Sequence, residues 1–271
     1  MAAVTAPVPR RERVRQATIE EIKKTARDQL AEHGAAALSL RAVARAMGMT
    51  PSALYRYFDS RASLISALAR DAFSSLADAL EAAFDAAPTD EHSVRWLLVA
   101  RAHRRWALEH PTEYTLIFGP QPSDVPDKSD QVLAELHRSV NVLFRCMVEA
   151  IASGVACPDR LDIELSPRLR EDLAAWMALE QLPLSPAGAA ACITAWTQLH
   201  GFIALEVFGH LPSKLGSPDD LYDQQMLGVF ARLIRLGPHS PPDFATVIAR
   251  ADRATSHHPR ADGSRPATND S

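Results

Sequence analysis

Residues Leu38 to Arg61, LSLRAVARAMGMTPSALYRYFDSR, fit a helix, a tight turn and a second short helix into 24 residues. Ser39 has the side chain of an N-cap, and Leu40, Val43, Ala44 and Met47 recur at i, i+3, i+4 and i+7, the spacing of one buried helical face. Gly48 supplies the left-handed residue that stops a helix, and Thr50-Pro51 opens the next one as N-cap and N1 proline. The product is a helix-turn-helix, the layout of a major-groove reader.

On a wheel of the second helix, continued to Phe58, Pro51, Leu54 and Phe58 fall on one side and Ser52, Ala53 and Arg56 on the other, flanked by Tyr55 and Tyr57. Small residues at the centre admit base edges, while tyrosine hydroxyls and a guanidinium at the borders reach phosphate or guanine. Arg41 and Arg61 each sit in a first helical turn, where the helix dipole disfavours a cation by about 0.3 to 1 kcal/mol. An external phosphate reverses that penalty. The expected DNA-contacting set is therefore Ser52, Ala53 and Arg56 for bases, with Arg41, Thr50, Tyr55, Tyr57 and Arg61 for the backbone and Pro51 at the helix start.

From about Val14 to Leu68 the chain resembles the N-terminal domain of TetR-family transcriptional regulators. The resemblance rests on a first helix ending at Gly34, the run LSLRAVARAMGMTPSALYRYF, and Ser60-Arg61 with Leu64 opening a long fourth helix. The chain departs from the family pattern at Tyr57, where His is frequent, at Arg61, where Lys is frequent, and at Ala62 and Ser63, where a pair of Glu is frequent. Tyrosine and arginine keep the hydrogen-bonding ability of the residues they replace. The resemblance implies a palindromic double-stranded DNA operator, a homodimer and a small-molecule effector.

Charge is distributed to match. Arg10 to Arg61 holds 11 Lys or Arg against 6 Asp or Glu, a net of +5, while the remainder holds 18 against 27, a net of −9. Attraction for phosphate is concentrated at one end of an otherwise acidic chain. The arginines at 10, 11, 13 and 15 form a basic arm that either reaches an adjacent groove or is a solvated helix start.

Composition points to an all-α protein: 47% of the residues are hydrophobic and only 11 of 271 are Gly. No run of 18 apolar residues and no apolar leader segment occurs, so a soluble cytoplasmic protein without membrane contact is expected. Cys146, Cys157 and Cys192 are odd in number and widely spaced, which fits buried thiols better than disulfides or a zinc site. The chain lacks a nucleophile elbow, a zinc-protease helix, a P-loop and a dinucleotide-binding glycine pattern, so no enzyme activity, cofactor or metal is expected.

Helical spacing continues beyond the reading pair. A helix over about 13–33 precedes it, and others are expected over 60–86, 90–110, 112–118, 131–152, 166–181, 187–208 and 221–236, with a short one near 244–251. The expected division is a disordered basic arm over 1–12, a DNA-binding domain over 13–62, a helical ligand-binding and dimerisation bundle over 63–237, and a mostly disordered tail over 238–271. Ala195-Trp196 and His200-Gly201 are similar to the signature of the WHG type of TetR-family C-terminal domain.

The second domain is rich in large apolar residues, and the resemblance implies that some line a ligand cavity enclosed by its middle helices. Trp96, Phe118, Phe144, Met147 and Trp176 are the candidates, and they suit a mostly apolar molecule with one or two polar handles. The helices over 187–208 and 221–236 are expected to pair with their copies as a four-helix interface. The expected function is a ligand-responsive repressor. An all-helical binding protein or enzyme with a merely structural helix-turn-helix, and an activator that needs no ligand, are the alternatives.

Overall fold

Proline and small hydroxyl residues set many of the helix starts. Ser39, Thr50, Ser166 and Ser185 each accept a hydrogen bond from the backbone N–H three residues on, and Pro51, Pro111, Pro167 and Pro186 occupy first-turn positions where no N–H is required. The computed structural model describes residues 9–120, 129–157, 164–212, 218–234 and 243–256. They form helices α1 (Arg10–His33), α2 (Leu40–Ala46), α3 (Pro51–Leu54), α4 (Arg61–Ala86), α5 (His92–Glu109), α6 (Pro111–Phe118), α7 (Asp130–Ala152), α8 (Pro167–Glu180), α9 (Pro186–Val207), α10 (Pro218–Ile234) and α11 (Phe244–Ser256), with a 3-10 turn at Ala35–Ala37. No strand occurs among the described residues, so the all-α reading holds.

The chain divides into two compact units. The first, Met1–Leu80 with His103–Val142, contains the reading pair. Its core joins Ile22, Ala26 and Leu30 of α1, Leu40, Val43 and Ala44 of α2, Leu54 and Phe58 after it, and Leu64, Ile65 and Leu68 of α4. Leu116 of α6 packs into the same core. Lys23 points from α1 toward α4 and is only 4% exposed, yet its ammonium lies 2.7 Å from Asp71 and 3.1 Å from Glu20. A buried cation survives only when paired in this way.

The second unit comprises Glu81–Ala102 and Leu143–Ser271. Trp96 donates its indole N–H to the Met226 carbonyl at 2.8 Å and stacks on Phe230, and Tyr222 donates to the Ala100 carbonyl at 2.7 Å. Arg95, buried, bridges Glu149 and the Pro88 carbonyl, while Arg101 bridges Asp223 and Asp252. The last of these partners belongs to α11, which also buries Val247 and Ala251 and places Arg250 against Glu91.

Three expectations change. α1 begins at Arg10, so residues 10–12 of the stretch expected as a disordered arm are helical. The tail carries a longer helix than its apolar residues suggested, to Ser256 instead of Ala251, because its charged residues find partners on α5 and beside it. The second reading helix ends at Leu54, four residues short of Phe58, because Tyr57 N–H bonds the Leu54 carbonyl three residues back and tightens the chain into a turn. The expectations for residues 1–8, for the tail beyond Ser256 and for 235–236 lie outside the described residues.

Candidate nucleic-acid interface

The turn between α2 and α3 is built from backbone bonds. Gly48 has φ 64°, its N–H bonds the Arg45 carbonyl, and the next N–H, of Met49, reaches back to Ala44 at 2.8 Å. This pair of bonds closes the end of α2 in a Schellman motif, which the left-handed glycine makes possible. Thr50 then caps α3, its hydroxyl accepting from Ala53 N–H at 3.3 Å and lying 3.2 Å from Ser52 Oγ. α2 and α3 carry no acid in their first turns, so the positive ends of both dipoles stay available to an external anion.

The buried side of the second helix is Leu54 with Phe58, and Pro51 is exposed instead of joining them. Ser52 and Arg56 are exposed, Tyr55 is 46% exposed, and Ala53 is half-buried between them. Tyr57 is also half-buried, packed against the core of the unit, and the Arg15 guanidinium lies over its ring at 5.4 Å. Arg41 projects from the first turn of α2 into solvent. Ser52, Tyr55, Arg56 and Arg41 thus remain on the accessible surface of the reading pair, with the Thr50 cap beside them.

Arg61 is different. Its Nε donates to the Leu38 carbonyl at 2.9 Å and its Nη2 to the Ala35 carbonyl at 2.5 Å, so it ties the start of α4 to the segment entering α2. The dipole penalty that suggested a phosphate partner is met here by two backbone oxygens of the protein itself. Beside it, Ser60 and Ser63 exchange hydrogen bonds, each side chain serving the other's N–H, so serine replaces glutamate in the capping box. The Asp59 carboxyl is held below its ordinary pKa by hydrogen bonds from Ser63 and then Ser60.

The five ligand candidates are divided between the two units. Phe118 lies in the first unit, edge-on to Phe73 at 5.7 Å and near Tyr114 and His103. The other four lie in the second unit, where Trp96 is a hydrogen-bonded core residue, Phe144 meets Trp176 edge-on at 5.8 Å, and Met147 is buried. Among the described residues no His, Cys, Asp and Glu group could hold a metal ion. No helix of the described residues is long and apolar enough to cross a membrane. Sequence reading missed Lys23, whose only signal is a cation inside an apolar helical stripe, and the internal bonds of Arg61, whose partners are 23 and 26 residues away.

Comparison with known proteins agrees with this geometry. Residues 22–68 match the family described as bacterial regulatory proteins of the tetR family, and residues 96–229 match the tetracyclin repressor-like C-terminal domain, a span that includes Trp196, His200 and Gly201. The HTH-type transcriptional regulators Rv1816 of Mycobacterium tuberculosis and Mb1846 of Mycobacterium bovis are each 34% identical over 224 residues, covering 82% of this chain and 94% of theirs. The crystal structure of SCO4313 aligns with a TM-score of 0.67 at 31% identity, over 82% of this chain and 98% of that one. That of the TetR-family regulator PfmR from Thermus thermophilus shares the fold, with a TM-score of 0.50 at 17% identity over 78% and 96% of the two chains. With a reading pair presented at the basic end of an all-helical chain, and relatives of this kind along most of its length, the protein belongs to the TetR family of DNA-binding transcriptional regulators.

Proposed function

We propose that this regulator is a homodimeric repressor that binds a palindromic operator and is released from it by a small, mostly apolar effector. The observation that carries the proposal is the accessible edge of Ser52, Tyr55 and Arg56 on a helix whose other side, Leu54 and Phe58, is locked in the core. Ser52, Ala53 and Arg56 face base edges, and Arg41, Thr50, Tyr55 and Tyr57 meet the backbone around Pro51. Arg61 contributes by positioning the pair.

Two reading heads on successive grooves, about 34 to 36 Å apart, require a two-fold partner. Gly201 and Gly228 support a pairing through α9 and α10. Each is a helix-interior glycine at which an added Cβ would meet nothing within 4 Å. Such glycines weaken a helix by about 1 kcal/mol, a cost that the close approach of a second chain explains. Leu205 and Phe208, 47% and 41% exposed, continue the Gly201 face.

Effector release follows from the likeness of the second half to a tetracyclin repressor C-terminal domain, and Trp196, His200 and Gly201 suit the WHG type of that domain. An effector that binds one setting of the bundle better than the other shifts α4, whose 26 residues span about 39 Å, and changes the separation of the reading heads. A mobility-shift assay on palindromes upstream of the gene tests the proposal. Specific binding relieved by an apolar small molecule supports it, and binding that no such molecule relieves contradicts the release step.

A further inference from the structure

The buried indoles of Trp96 and Trp106 donate their N–H groups, to the Met226 carbonyl and to Ser75 Oγ. Trp196 does not. Its Nε1 is buried and has no hydrogen-bond partner. A donor taken out of water without an acceptor forfeits the bond it had in solvent, so such groups are rare and mark places where a partner is expected. The ring of His200, one turn further along α9, packs edge-on to Trp196 with centroids 4.8 Å apart. Burial pushes the His200 imidazole down to about 4, which keeps it neutral across the physiological range.

The apolar walls are on the same helix pair. Leu173 and Met177 of α8 pack on Ala189 of α9, and Trp176, Ala190 and Ile193 pack on that cluster. Phe144 of α7 closes on Trp176. Trp196 follows Ile193 at i+3 and His200 follows Trp196 at i+4, so the unpartnered donor continues the face of α9 that α8 covers. Of the 14 residues of α8 only Leu173 and Met177 are buried, so this helix is held by few contacts and can move aside at low cost.

We propose that the Trp196 N–H, with the His200 ring beside it, is the polar handle of the effector site, donating to a carbonyl or hydroxyl oxygen of a neutral and otherwise apolar molecule held between α8 and α9. This rests on the effector reading above and moves the site toward Phe144 and Trp176, away from Trp96 and Phe118. A free carboxylate is disfavoured, because it would be desolvated beside an uncharged imidazole.

The test uses the intact protein labelled with 15N at its four tryptophans, with the Trp196 indole resonance assigned through Trp196→Phe. Acetophenone supplies a neutral acceptor on an aromatic frame, ethylbenzene the same frame without one, and benzoate a charged one. The expected result is a downfield shift of the Trp196 N–H on adding acetophenone and none with ethylbenzene. Trp196→Phe should weaken acetophenone binding about 10-fold while leaving ethylbenzene binding unchanged. If that variant fails to fold, the Trp196 resonance is assigned in the wild-type protein by its through-space contacts with the His200 ring, 4.8 Å away between centroids, and the wild-type spectra decide alone.

A Trp196 resonance already at the bonded position in the free protein overturns the proposal, and one that reaches it only as chains associate shows that a second copy provides the acceptor. Failure of acetophenone to bind at millimolar concentration, or tighter binding of benzoate, also overturns it. Release from operator DNA is read separately. Release by acetophenone with an unmoved Trp196 resonance sinks this site and leaves the repressor reading standing, whereas a Trp196 shift without release sinks the release step and leaves the site.

Discussion

Arg56 and Tyr55 make no side-chain bond among the described residues and stand exposed on the one edge of the reading pair that the core does not use. Replacing either with Ala should lower specific DNA affinity by about 10- to 100-fold, the worth of a base or phosphate contact, and leave the unfolding midpoint unchanged. A fall in that midpoint would show that the side chain belongs to the core. Arg61 predicts the reverse order of effects. Arg61→Ala removes the side-chain partner of the Leu38 carbonyl and leaves the Ala35 carbonyl with the Leu38 N–H alone, which should destabilise the first unit by about 1 to 3 kcal/mol in urea unfolding, with DNA binding lost as a consequence. An unchanged urea midpoint with lost binding would return Arg61 to direct phosphate contact.

His200 yields a prediction in pH. Its imidazole titrates near 4 in the folded chain, against an ordinary 6.5, so between those values the unfolded chain binds the proton that the folded chain refuses. Stability should therefore be fully present above pH 6.5, fall as pH drops toward 4, and stop falling below it, by about 3 kcal/mol in total. His200→Phe should flatten urea midpoints measured across that window, and an unchanged slope in the variant would assign the acid sensitivity to other groups.

Among the elements, α9 has the most varied duties. One face enters the core through Cys192, Ala195, Leu199 and Phe202, the adjoining face holds Trp196 and His200, and the exposed face carries Gly201, Leu205 and Phe208. Gly201→Leu meets no obstacle within the chain and raises helix propensity, so the monomer should fold as before. Sedimentation should nonetheless show the dimer dissociating at lower dilution than wild type. A dimer of unchanged strength would place the interface elsewhere.

Periodicity and end signals made most of these elements legible, since the apolar spacings from Leu40 to Met47 and the Gly, Pro and Ser positions at helix ends are local properties. What stayed hidden depends on distance along the chain. The tie from Arg61 to Ala35, the Lys23–Asp71 pair and the entry of Leu116 into the reading core join residues 26, 48 or more positions apart, and no local pattern encodes them. The end of α3 is hidden for a related reason: Tyr55, Arg56 and Tyr57 continue a helical wheel, but the tight bond from Tyr57 to Leu54 ends it. The ligand candidates are legible as large apolar residues, whereas the pairing of Phe144 with Trp176 joins helices 32 positions apart and leaves no local pattern.

As a whole, the molecule joins a basic reading end to an acidic helical remainder, with the first unit fastened internally by Lys23–Asp71 and by Arg61. The net positive charge of residues 10–61 predicts a steep salt dependence of DNA binding, measured as the slope of affinity against salt concentration, and substitutions outside that span should leave the slope alone. Dimeric, sequence-specific DNA binding is tested by a titration of labelled upstream palindromic DNA with the wild-type chain and with Arg56→Ala, scoring both stoichiometry and affinity. The expected result is two chains per palindrome, a preference over scrambled DNA, and a loss of that preference in Arg56→Ala with its dimer intact. One chain per site, or full specificity in the variant, would contradict it.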